Sequence, residues 1–131
     1  MTEESTSVLI VAKPTRMREG LRALLMAMPQ LKIIGQVDDG PSAMQMISDH
    51  HPALILLDSN LPEDEAWVVL KQVKNGSNTR CLVLADTVQQ QRVARAEGAD
   101  DVLLTGVPAA KLFTTIERLL PDTSFRSIGN V

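Results

Sequence analysis

Five short apolar runs alternate with five stretches of helical periodicity along the 131 residues, and this alternation limits the fold more than any other feature. The runs are 7–12 (SVLIVA), 31–37 (LKIIGQV), 53–58 (ALILLD), 80–85 (RCLVLA) and 101–104 (DVLL). Residues 53–57 are apolar without interruption and end abruptly at Asp58. That is the pattern of a strand covered on both faces, as in a parallel sheet, with one carboxylate at its carboxyl end. The second run is more polar and belongs at a sheet edge.

Between the runs, apolar residues recur at spacings of three and four. Met17, Leu21, Leu24, Leu25 and Met28 make one face of a helix over 16–28, stopped by Pro29. Ala43, Met44 and Ile47 make the inner face of a second helix that starts at Pro41, after Asp38-Asp39-Gly40, and runs to about residue 49. A third follows Pro62 with Trp67, Leu70 and Val73, ending at Asn75-Gly76. Thr87 caps a fourth, which Gly98 stops, and Pro108 introduces a fifth carrying Leu112, Phe113, Ile116, Leu119 and Leu120. Strict βα alternation demands parallel pairing through right-handed crossovers, with helices on both faces. The sequence therefore predicts a doubly wound α/β domain with a five-stranded parallel sheet of order 2-1-3-4-5, the polar second strand on an edge. The domain is expected over 7–120, between a disordered N-terminus at 1–6 and a C-terminal tail at 121–131.

Composition removes several classes of function. The formal charge of −3 offers no basic footprint for nucleic acid. Cys81, the single cysteine, falls in an apolar run and is expected as a buried thiol, so neither a disulfide framework nor a Cys/His metal cluster can form. The acidic, polar start MTEESTS is not a signal peptide, and no apolar run is long enough to span a membrane, so a cytoplasmic location is expected. His50 and His51 are adjacent and cannot share a helix face, which argues against a metal pair. Glu63-Asp64-Glu65 is expected to open the third helix and complement its positive end. The methionines follow helical spacing as core, with Met26 and Met46 facing outward.

In the order 2-1-3-4-5 the carboxyl ends of strands one and three share a crevice, and Asp58 lies in it. The motifs VLIVAKPTRMREGLRALL, LILLDSNLP, RCLVLAD and EGADDVLLTGV resemble the receiver domain of two-component response regulators, the CheY-like fold, and within it the NarL/FixJ type. The likeness spans about residues 7–120. It implies that a histidine-kinase partner passes a phosphoryl group to the Asp at the position of Asp58. It also implies a divalent cation held by acids after strand one, a hydroxyl at the end of strand four and a lysine at the end of strand five. A carboxylate attacks a polyanion only where cations neutralise the developing charge.

Against that pattern the sequence departs at each supporting position. After strand one it has Ala12 and Lys13, at the end of strand four Ala85, and at the end of strand five Thr105, while Val102 replaces a switching aromatic. Only Asp58 and the Leu61-Pro62 pair of the following loop remain, and Asn60 between them is expected to line the crevice. The expectation is a pseudo-receiver: a non-enzymatic signalling module with no cofactor and a lost Mg²⁺ site. It would act through protein contacts with a kinase, an output domain or a second copy. A working phospho-receiver that accepts phosphate on Asp58 is the alternative. A flavin binder is disfavoured, because Lys13-Pro14-Thr15-Arg16 is not a phosphate cradle and aromatics are scarce. Lys13 has two placements. An ion pair with Asp58 at about 4 Å would gain roughly 4 kcal/mol before desolvation; otherwise Lys13 extends into solvent and leaves Asp58 hydrated.

Overall fold

Parallel strands can be joined only by crossovers, and each crossover here is a helix whose apolar stripe closes over the sheet. The computed structural model describes residues 5–120. The elements are β1 (Thr6–Val11), α1 (Arg16–Met26), β2 (Leu31–Val37), α2 (Gly40–His50) and β3 (Leu54–Asp58). A 3₁₀ turn (Pro62–Asp64) follows, then α3 (Glu65–Gly76), β4 (Arg80–Ala85), α4 (Val88–Ala96), β5 (Asp101–Leu104) and α5 (Ala109–Leu119). The strands form one sheet of order β2-β1-β3-β4-β5, and every pairing is parallel. This is the doubly wound order expected from the sequence.

The period of two along each strand splits the core into two layers. Leu9, Val11, Ile55, Leu57, Val83 and Ala85 face one layer with residues of α2, α3 and α4. Val8, Ile10, Ala12, Leu54, Leu56, Leu82 and Leu84 face the other with residues of α1 and α5. Both faces of the central strands are thus dry, which is why their sequences show no polar alternation. Thr15, Asp39 and Thr87 cap α1, α2 and α4 through side-chain oxygens that accept from Arg18, Ser42 and Gln90 N–H groups.

The structure corrects four expectations. β1 begins at Thr6, inside the segment expected to be disordered; residues 1–4 of that segment and the expected tail at 121–131 lie outside the described residues. α1 ends at Met26, although Met28 is still buried and its N–H bonds the Leu25 carbonyl. The acidic run does not form the first turn of α3: Glu63 and Asp64 hold left-handed φ values of 53° and 58°, and only Glu65 is helical. Glu65 instead reaches α2, where its Oε1 accepts the Gly40 N–H at 2.7 Å. A Cβ at Gly40 would stand 3.2 Å from the Glu65 Cβ, so glycine permits this close approach. Met26 does face outward, at 62% exposure, but Met46 does not. Its Cε lies 2.7 Å from where a Cβ on Gly35 would be, so it fills the space over β2 that the glycine leaves.

Candidate functional site

The register sets the site. Val11 pairs with Leu57, Asp58 with Leu84 and Ala85 with Leu104, so the carboxyl ends of β1, β3, β4 and β5 finish side by side. The loops leaving those ends carry Lys13, Asn60, Asp86 and Thr105. Asp58 is only 5% exposed, and its Oδ1 accepts the backbone N–H of Asn60 at 2.9 Å, closing an Asx turn. Its carboxyl is held above the ordinary carboxylate range, chiefly by burial and then by the charge of Asp86. The Asn60 N–H and the more distant ammonium of Lys13 work against that rise without cancelling it.

Of the residues picked out from sequence, Ala12 and Ala85 are buried and offer only methyl groups. The Ala12 carbonyl accepts from Arg18 Nη1 at 3.0 Å. Lys13 is exposed. The ion pairs among the described residues are Lys74–Asp100, Arg80–Asp100, Arg95–Asp101 and Arg118–Asp101, so the direct Lys13–Asp58 pair is not formed. Lys13 stays in solvent, where its charge is hydrated, and Asp58 is buried against its own loop.

Asn60 and Thr105 are brought together by a residue that sequence reasoning passed over. Asp86 accepts Asn60 Nδ2 at 2.6 Å on one carboxylate oxygen and Thr105 Oγ1 at 2.8 Å on the other. Gln90, in the first turn of α4, completes the arrangement. Its Oε1 accepts from Ser59 Oγ at 2.9 Å and from the Asp86 N–H at 2.7 Å, and its Nε2 donates to Asn60 Oδ1 at 2.9 Å. The signal in the sequence was slight: an acid one position past a strand end, and a glutamine three residues after a capping threonine. Neither points to the other without the fold.

The sheet is doubly wound, and among the described residues Asp58, at the carboxyl end of its third strand, is the one buried acid. The family model described as "Response regulator receiver domain" matches residues 8–117, and the chain belongs to that family. The chain is 30% identical over 112 residues to the transcriptional regulatory protein YdfI of Bacillus subtilis, covering 84% of this chain and 53% of that protein. It is 24% identical over 119 residues to the nitrate/nitrite response regulator protein NarL of Escherichia coli, covering 88% of this chain and 55% of that protein. The chain thus spans about half the length of these relatives. The response regulatory domain of protein mrkE from Klebsiella pneumoniae superposes with a TM-score of 0.79 at 18% identity, covering 87% of this chain and 94% of that one. A LuxR-family DNA-binding response regulator from Staphylococcus aureus superposes at 0.76 and 21% identity, covering 87% and 98%.

Proposed function

We propose that this receiver domain signals through protein–protein contacts, with little or no metal-dependent phosphorylation of Asp58. The observation that carries the reading is the chemistry beside Asp58: where the family's metal-holding acids belong stand a buried methyl, Ala12, and an exposed cation, Lys13. Mg²⁺ is a hard ion that takes several oxygens, commonly one or two carboxylates with waters and phosphate. Asp58 Oδ1 accepts the Asn60 N–H and the two oxygens of Asp86 accept from Asn60 and Thr105, donors that a metal would have to share or displace. Among the described residues no group of three or more His, Cys, Asp or Glu could hold a metal. These residues do not fit the ion.

The same crevice lacks the groups that would stabilise a phosphoryl transfer. Ala85 has no hydroxyl, and Thr105 has no charge to offer an incoming phosphate. Without preorganised cations, attack of Asp58 on a polyanion loses the largest source of stabilisation. The module is read as non-enzymatic and cytoplasmic. Its partners are a histidine kinase, an output domain or a second copy, and any role in transcription belongs to a longer protein of the YdfI or NarL kind.

Trp67, the single tryptophan, is half-buried on α3 and packs against the core layer shared by α2, α3 and α4. Its fluorescence, followed with calorimetry through the millimolar range of Mg²⁺, is expected to show no saturable response. A saturable response abolished by Asp58→Asn would return the chain to the alternative, a phospho-receiver working in a phosphorelay.

A further inference from the structure

We infer that Asn60, Asp86, Gln90 and Thr105 form a clasp that holds α4 in one position whatever the state of Asp58, with Asp86 and Gln90 as its positioning residues. The clasp joins four separate pieces of chain: the loop after β3, the loop after β4, the first turn of α4 and the end of β5. Each member is bonded to at least one other piece. Asn60 Nδ2 and Thr105 Oγ1 donate to the two oxygens of Asp86, and Gln90 receives Ser59 Oγ and the Asp86 N–H while donating to Asn60 Oδ1. Both atoms of the Gln90 amide are therefore used, and so are both oxygens of Asp86. Asn60, Asp86 and Thr105 are exposed and Gln90 is half-buried, so water can take up a bond that opens; what favours this arrangement is that Asp86 and Gln90 each bridge two pieces of chain at once.

Asp58 stands outside this network. Its bonded link to the clasp is the Asn60 backbone N–H, whereas the bonds that reach α4 run through the Asn60 side chain and Ser59. Two further bonds fix the approach to the helix independently: Ser59 N–H donates to the Leu84 carbonyl at 3.0 Å, and Thr105 N–H to the Ala85 carbonyl at 2.8 Å. Thr87 separately caps the helix through the Gln90 N–H at 3.0 Å, so the helix survives loss of the Gln90 side chain while its seating does not. The carboxylate at Asp58 thus reaches the clasp through the Asn60 N–H and through like-charge repulsion with Asp86, and makes no bond to α4 itself; the clasp's own bonds hold the helix against both. This inference concerns how α4 is seated and stands apart from the metal-free reading above.

Amide hydrogen exchange over residues 86–94 tests it in the full chain, comparing the native protein with Gln90→Ala, Gln90→Met and Asp58→Asn. Both Gln90 variants are expected to speed exchange in that segment about tenfold, the loss of roughly one net hydrogen bond, while β1 and β3 keep their protection. Gln90→Met keeps the length and packing of the side chain, so a matching effect assigns the change to the amide. Asp58→Asn is expected to leave the segment unchanged. The inference is overturned if Asp58→Asn loosens residues 86–94 as much as Gln90→Ala, or if neither Gln90 variant alters their exchange. A failure of the metal-free reading would instead appear in the Mg²⁺ titration.

Discussion

Asp58 and Asp100 both lie at strand ends, Asp58 at the carboxyl end of the central β3 and Asp100 at the amino end of β5, and they are held in opposite ways. Asp100, just before β5, accepts Lys74 Nζ at 2.7 Å and the Cys81 N–H at 2.7 Å, with Arg80 Nη1 at 3.5 Å. Asp58, at the end of β3, accepts a single backbone N–H from its own loop and feels the like charge of Asp86. The first carboxylate ties α3, β4 and the α4–β5 connection together. The second is buried without a cation in contact, which costs the fold stability whenever it ionises. One end of the sheet is built to be stable. The other holds Asp58 with no cation in contact, between the like charge of Asp86 and the more distant ammonium of Lys13.

Breaking the stable end should give the largest effect. Asp100→Ala leaves the Lys74 ammonium and the buried Cys81 N–H without their acceptor, and is expected to cost about 2–4 kcal/mol in urea unfolding. The Cys81 thiol, pushed up to about 12 by burial and then by Asp100, should remain unreactive toward alkylating agents in the native protein and become reactive as this end opens.

A third carboxylate, Asp101, sharpens the contrast through pH. Burial works against its ionisation, but the Val102 N–H, Arg118 and Arg95 outweigh burial and hold its carboxyl below the ordinary carboxylate value. Such a group contributes stability above its unfolded-state value, near pH 4, and loses it as pH falls through the lower folded-state value. Asp101→Asn should therefore cost about 0.5–1 kcal/mol at neutral pH, since both arginines are more than half exposed, and the difference should vanish in acid.

At Asp58 the sign reverses. A carboxyl held above its ordinary value binds protons more readily in the folded state, so its contribution to stability falls as pH rises through the ordinary value toward the raised one. Asp58→Asn should raise the melting temperature at neutral pH by about 3 °C, and the gain should shrink below about pH 4. Lys13→Ala should be the smallest perturbation, within about 0.5 kcal/mol in urea unfolding, because the exposed ammonium makes no ion pair with Asp58. A loss of several times that size would revive the direct pair.

The fold was legible because its signal is long-range and redundant. The bounds of β2, β4 and β5 match the runs read from the sequence, although Lys32, Gly35 and Gln36 interrupt β2, and Thr87 and Gly98 bracket α4 as capping chemistry requires. The reading faltered where tertiary contact overrides local rule. Glu65 turned from dipole partner to cap of a neighbouring helix, and Met46 was drawn inward by the missing side chain of Gly35. In the site, sequence named Ala12, Lys13, Ala85 and Thr105, and the structure places them at or just past the carboxyl ends of β1, β4 and β5. Sequence could not name Asp86 and Gln90, since their role exists only when four pieces of chain converge at one end of the sheet. Sequence left Lys13 two placements, and the structure takes the exposed one, in which the flexible ammonium keeps its hydration.

The most direct measurement is the intact mass of the protein after incubation with Mg²⁺ and a small phosphodonor such as acetyl phosphate, with Asp58→Asn in parallel. The account predicts that neither protein shifts from its own untreated mass. A gain of one phosphoryl group in the native chain that is missing from Asp58→Asn would contradict it.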